Sequence, residues 1–160
     1  MEKKIETQNS SLHLWLQLIK CTKTIVAHVD GQLRRNHNLS LVRFDVLSQL
    51  YRFEDKWLTI GELANLLMAS GGNITGLLDR MENDKQLKRR ASPTDRRSFQ
   101  VKLTKHGRGL FEIIAKDHES WVSDMMADLP EQGKKHLVKQ LIEVRREFEK
   151  TTIKNNKSAA

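Results

Sequence analysis

The chain has 160 residues, enough for one compact domain, and carries 28 Lys and Arg against 20 Asp and Glu for a net charge of +8. It has no apolar run long enough to span a bilayer and no signal-peptide core at its start, and its one cysteine, Cys21, excludes an internal disulfide. A helical membrane span and an internally disulfide-stapled domain are therefore not expected; a cytoplasmic protein with a polyanionic partner is, and charge alone does not separate nucleic acid from a membrane surface or mere solubility.

Taken in order, residues 1 to 9 are polar and expected to fray. A helix then starts at Ser10 or Ser11, with Leu12, Trp15, Leu16, Ile19, Val26, Val29 and Leu33 at near-helical spacing, and ends at Asn36-His37-Asn38. Ser40 caps a second helix with Phe44, Leu47, Leu50 and Tyr51 on its apolar side. Thr59-Ile60-Gly61-Glu62 is a capping box opening a short third helix that buries Ile60, Leu63, Ala64 and Leu67. Ala69-Ser70-Gly71-Gly72 is a tight turn, and Ile74, Leu77, Leu78 and Met81 place one face of a fourth helix in the core. Two short helices joined by a small-residue turn make a helix-turn-helix. The opposite face of the fourth helix offers Asn73, Thr75, Gly76, Asp79, Arg80 and Asn83, small near its start and so able to approach base edges.

The chain then changes type. Leu87 to Ala91 reads as a strand, Pro93-Thr94-Asp95 as a turn, and Phe99, Val101 and Leu103 alternate with polar residues as a second strand. The hairpin carries Arg96 and Arg97 at its tip. Thr104 caps a long helix running to about Leu129 with Phe111, Ile114, His118, Trp121, Val122 and Met125 in its stripe; Pro130 starts a last helix. There Leu137, Leu141, Val144 and Phe148 recur at steps of four, three and four, a coiled-coil-like seam. Residues from about Thr151 are polar and expected to be disordered. The fold class is mainly α, in the order α-α-α-α-β-β-α-α, with an interlocking helical region around a winged helix-turn-helix.

Asp95, Arg97, Val101, Leu103, Thr104 and Gly107 fill the pattern D-x-R, three residues, V-x-L-T-x-x-G without a gap. This resembles the signature of the MarR family of bacterial transcriptional regulators, and a looser likeness runs from Leu12 to Phe148. The resemblance implies one MarR-type domain over 1–160, with 10–36 and 104–150 as dimerisation helices and 39–103 as the DNA-binding part. It implies an obligate homodimer on a near-palindromic operator, and a wing held in shape by an Asp95–Arg97 pair.

Between Arg80 and Arg108 lie Lys85, Lys88, Arg89, Arg90, Arg96, Arg97, Lys102 and Lys105. A charge run is usually a solvated face, but here it coincides with the module shaped for a groove. Double-stranded DNA is the expected partner, with Ser70, Gly72, Asn73, Thr75, Gly76 and Arg80 at the major groove and Arg96 and Arg97 at the minor groove. The six histidines form no metal spacing, and no phosphate loop, nucleophile elbow or carboxylate pair is present. No metal, cofactor or enzymatic activity is expected.

In the family a cavity borders the first, second and fifth helices. The residues placed there are His13, Trp15, Leu16, Arg43, Phe44, Leu47, Phe111 and His118, flat apolar walls with a few polar groups. They suggest a small phenolic or aromatic carboxylate effector. The segment Ser70 to Glu82 also resembles members controlling aromatic-acid breakdown. Arg43 reads equally as a surface or DNA-proximal arginine, and Phe44 and Phe111 as ordinary core. Some relatives sense oxidants through a first-helix cysteine, but that position holds Leu16 here, and Cys21 reads either as a redox sensor or as an ordinary thiol.

Overall fold

A computed structural model describes residues 10–67, 74–93, 95 and 98–158, with side chains as far as 151. The elements are α1 (Ser10–His37), α2 (Leu41–Arg52), β1 (Leu58–Thr59), α3 (Ile60–Leu66), α4 (Ile74–Asn83), β2 (Leu87–Ala91), β3 (Phe99–Leu103), α5 (Lys105–Met125) and α6 (Glu131–Ser158). The chain divides into two compact units, Met1–Trp121 and Val122–Ala160.

Local chemistry sets the boundaries in the first unit. α1 ends where Asn38 takes φ 49°, a left-handed conformation that asparagine tolerates better than most residues. One oxygen of Asp30 accepts Nε of Arg34 at 2.6 Å and the other accepts the Leu41 N–H at 2.8 Å, tying the end of α1 to the start of α2. Ser40 caps α2 by accepting from the Arg43 N–H. The expected capping box is present on both sides: Thr59 N–H donates to Glu62 Oε2 at 2.7 Å and Glu62 N–H to Thr59 Oγ1 at 3.1 Å.

The order differs from expectation by one strand. Leu58 and Thr59 form β1, paired antiparallel with β3 in register Leu58↔Val101 and Thr59↔Gln100, so the wing is a three-stranded sheet in the order β1-β3-β2. Two residues are too few to show a period of two, and the pairing exists only because β3 lies alongside. β2 pairs β3 from Leu87↔Leu103 to Ala91↔Phe99. Leu87, Val101 and Leu103 turn inward onto Leu47, Leu50, Leu63, Leu78 and Met81, all of them buried. Phe99, expected on the half-buried face, is exposed, because its register places it at the far end of the hairpin beyond that core.

Three helix boundaries also shift. α5 ends at Met125 rather than near Leu129, and residues 126–129 are turns closed by bonds such as Leu129 N–H to the Met126 carbonyl. Pro130 disfavours helical backbone only in the residue before it, Leu129, and so does not explain a stop four residues earlier. The last helix begins at Glu131 and continues to Ser158, past the expected end near 150. Its polar tail contains no glycine or proline to break it. Along α6, Leu137, Val138, Leu141, Ile142 and Phe148 are exposed.

Candidate nucleic-acid interface

α4 buries Leu77, Leu78 and Met81 and turns Thr75, Asp79, Arg80 and Asn83 to solvent, with Gly76 half-buried. Arg80 makes no ion pair with a described residue. Of the residues expected at DNA, Ser70, Gly72, Asn73, Arg96 and Arg97 lie outside the described residues. At the wing tip the Asp95 carbonyl accepts the Ser98 N–H at 3.0 Å, and the Ser98 carbonyl accepts the Ser92 N–H at 2.9 Å. Asp95 thus sits in the turn that closes the wing; its expected pairing with Arg97 involves a residue not described.

The cations of this region divide into two groups. Arg89 turns inward and is held by α4: its guanidinium lies 2.7 Å from Asp79 and 3.5 Å from Glu82 and donates to the Thr75 carbonyl at 3.3 Å. Glu82 also accepts the Arg89 backbone N–H at 3.1 Å. These contacts stitch the fourth helix to β2, so Arg89 holds the helix rather than facing a groove. Lys88 and Arg90 turn outward on the same strand.

The turn from α4 to β2 explains the last two residues of the wing signature, Thr104 and Gly107. Lys85 has φ 56°, and the Gln86 N–H donates to the Met81 carbonyl at 2.9 Å. Thr104 grips this turn: its hydroxyl donates to the Lys85 carbonyl at 2.6 Å, its N–H donates to the Gln86 carbonyl at 3.1 Å, and its oxygen accepts the Gly107 N–H at 3.0 Å. A Cβ at Gly107 would meet the Gln86 carbonyl oxygen at 1.9 Å, so only glycine lets α5 approach. Thr104 therefore caps α5 and clasps the end of the fourth helix with one side chain.

A second cluster lies between α2 and α5. The Phe44 ring is 5.6 Å from Phe111 and 4.8 Å from His118, and Tyr51 is 4.6 Å from Phe111. Burial pushes the His118 imidazole below its ordinary 6.5, because the charged form loses solvation. Beside it, His37 contacts Asp117 at 2.9 Å and Trp121 at 5.9 Å between ring centroids. Leu47 is fully buried. Phe44, Phe111 and His118 are thus brought to one region. His13, Trp15 and Leu16 are not: they stand exposed on the first half of α1, His13 contacting Gln17 at 3.1 Å.

Of the two places open to Arg43, a ligand or the DNA-proximal side, the structure puts it beside the end of α4. It pairs with Asp84, just past α4, and donates to Gln86 Oε1 at 2.9 Å. Cys21 is exposed on α1. An open groove at the start of α5 is lined by Glu54, Asp55, Lys102, Leu103, Thr104, Lys105 and Arg108, none of them a residue expected to hold an effector. Sequence reasoning missed Asp84, Gln86 and Asp117, whose partners are distant in the chain, and placed Tyr51 only on the apolar side of α2. It did note Asp79, but as an outward residue rather than a clamp.

A family model described as the MarR family matches residues 37–98. The HTH-type transcriptional regulator MhqR of Bacillus subtilis (strain 168) is 32% identical over 122 residues, covering 76% of this chain and 82% of that protein. The HTH-type transcriptional repressor YetL of the same organism is 31% identical over 131 residues, covering 82% and 78%. The crystal structure of a MarR family transcriptional regulator from Silicibacter pomeroyi is similar with a TM-score of 0.77 and 26% identity, over 91% of this chain and 99% of that one.

Proposed function

The chain belongs to the MarR family and is a DNA-binding transcriptional regulator, and from that premise we propose that it is a homodimeric repressor of aromatic-acid breakdown genes, released by a small phenolic or aromatic carboxylate ligand. Repression is supported by YetL, a relative described as a repressor. A second copy is supported by the exposed apolar residues of α1 and α6. Two recognition helices about 34 Å apart would then meet successive major grooves of a near-palindromic operator. Ser70, Asn73, Thr75 and Arg80 would read bases there, with Gly72 and Gly76 allowing close approach and Arg96 and Arg97 at the minor groove.

The observation that carries the effector reading is the divergence of Arg43 and Phe44. Neighbours on α2, they reach two places: Phe44 stacks in the aromatic cluster and Arg43 holds Asp84 at the end of α4. A flat molecule inserted beside Phe44 and Phe111 would move α2, and with it the end of the recognition helix. His118, kept neutral at pH 7 by burial, suits a hydrogen bond to a phenolic hydroxyl better than an ion pair with a carboxylate.

Such a ligand must bind the DNA-incompetent state more tightly, and operator DNA must weaken its binding by the same factor. The test is titration with hydroxycinnamate and benzoate, with and without a duplex selected by the protein from a random pool. A reciprocal loss of affinity, about 5–150-fold, is expected. Equal ligand affinity in the two conditions would contradict the mechanism. Release by peroxide, lost in Cys21→Ser, with no aromatic acid bound would replace it by oxidant sensing at Cys21.

A further inference from the structure

The outward face of the three-stranded sheet carries cations that the fold leaves unneutralised. In β2, Leu87 and Arg89 turn inward while Lys88 and Arg90 turn outward. In β3, Gln100 and Lys102 share that outward face, since Lys88 pairs with Lys102 and Arg90 with Gln100. Two lysines thus stand directly opposite each other on neighbouring strands, an arrangement that like-charge repulsion disfavours.

Several other arginines of the described residues are matched to acids: Arg34 to Asp30, Arg43 to Asp84, Arg89 to Asp79 and Glu82, and Arg108 to Glu54 and Glu112. Lys88, Arg90 and Lys102 make no ion pair with a described residue. Glu54 and Asp55 line the same groove as Lys102, but Glu54 is held by Arg108 at 2.5 Å. Arg90 is nevertheless fixed in place. Its guanidinium carbon lies 4.2 Å from the centre of the Trp57 ring, and its Nε donates to Gln100 Oε1 at 2.9 Å. The Lys88 ammonium lies 5.5 Å from the same ring. A guanidinium held over a ring and oriented by an amide has little further freedom to lose on meeting an anion.

We infer that this sheet face, built from Lys88, Arg90 and Lys102 around Trp57, binds the phosphate backbone of duplex DNA as a surface separate from the recognition helix and the wing tip. The inference rests on the DNA-binding reading and extends it to a part of the wing that reads no bases. Phosphates relieve the Lys88–Lys102 repulsion, and counterion release supplies affinity that depends on salt and not on sequence.

The double variant Lys88→Gln/Lys102→Gln tests it on two duplexes of about 20 base pairs, two helical turns, one random and one selected from a pool by the wild-type protein. If each lysine meets one phosphate, the slope of log K against log salt falls by about 1.8 per chain on both duplexes. The preference for the selected duplex stays as it was. The melting temperature at low salt is unchanged or raised, because the opposed charges are gone. Equal slopes for wild type and variant would overturn the inference, as would a loss of affinity explained by a lowered melting temperature. Wild-type binding to phosphatidylserine vesicles without salt-dependent duplex binding would assign the face to a membrane surface and overturn it too. A wild-type protein that prefers no sequence would sink the operator reading alone, since the random duplex still decides the sheet face.

Discussion

The winged region and the outer helices treat apolar surface in opposite ways. Between Val29 and Ile114 the apolar stripes close on one another: Leu33, Val46, Leu47, Leu63, Leu78, Met81, Val101 and Ile114 are fully buried within one chain. The first half of α1 and α6 as far as Phe148 carry stripes that remain open, with Trp15 53% exposed, Leu141 48% and Phe148 58%. Helical period therefore states that a face will be covered and not by what. Exposed apolar rows of this extent mark an interaction surface. The winged region closes its core within one chain; the first half of α1 and the apolar residues of α6 leave theirs open.

The sharpest way to break that contrast is inside the finished part. Gly107→Ala would drive a methyl into the Gln86 carbonyl and force α5 away from the end of the recognition helix. A loss of about 3 kcal/mol or more is expected in denaturant unfolding, at the upper end of overpacking effects. A loss below about 0.5 kcal/mol, the range of ordinary surface changes, would show that the approach is not as tight as described. Thr104→Val follows, keeping the shape and removing both the clasp on the Lys85 carbonyl and the cap on Gly107, at a cost of about 1–2 kcal/mol. If the cost were nil, the clasp would contribute nothing.

The aromatic cluster gives a smaller effect with a defined sign. His118 has a folded-state pKa below the ordinary 6.5, so in the interval beneath 6.5 the unfolded chain binds more protons than the folded one. Stability should therefore fall as the pH drops below 6.5, and the fall should be shallower in His118→Gln. Parallel profiles for wild type and variant would mean that His118 is not the group responsible. The capping box gives a lesser change at lower pH. Hydrogen bonds from the Thr59 backbone and side chain hold the Glu62 carboxyl below its ordinary 4.5. Its contribution is present above 4.5 and fades as the pH falls through the lower folded-state value, and Glu62→Gln should remove that part of the profile.

Much of this was legible from neighbouring residues. Ser40, the Thr59–Glu62 box, the 77-78-81 face of α4 and the β2–β3 hairpin follow from spacing and caps that act over a few residues. The failures share a cause. β1 exists because β3 lies beside it, and Arg43 finds Asp84 forty-one positions away. Arg89 and Arg90 are indistinguishable in a basic run until the strand's alternation meets Asp79 and Glu82 on another element. The MarR signature was recognisable as a pattern, while its physical reason, Thr104 and Gly107 closing on the Lys85–Gln86 turn, needed the fold. Of the residues expected to read bases, Thr75 and Arg80 stand exposed on α4, and of the pocket expected to span α1, α2 and α5, Phe44, Phe111 and His118 come together while Arg43 turns to Asp84.

The contrast between a finished core and an open one is tested most directly by sedimentation equilibrium of the wild type and Leu141→Asp at micromolar concentration, with circular dichroism and binding to the selected duplex read on the same samples. The wild type should be a dimer. The variant should shift toward a monomer that keeps the hairpin and helices of the winged region and loses operator affinity, because one chain supplies only one recognition helix. A wild-type protein that sediments as a folded monomer, and binds its operator as one, would contradict the account.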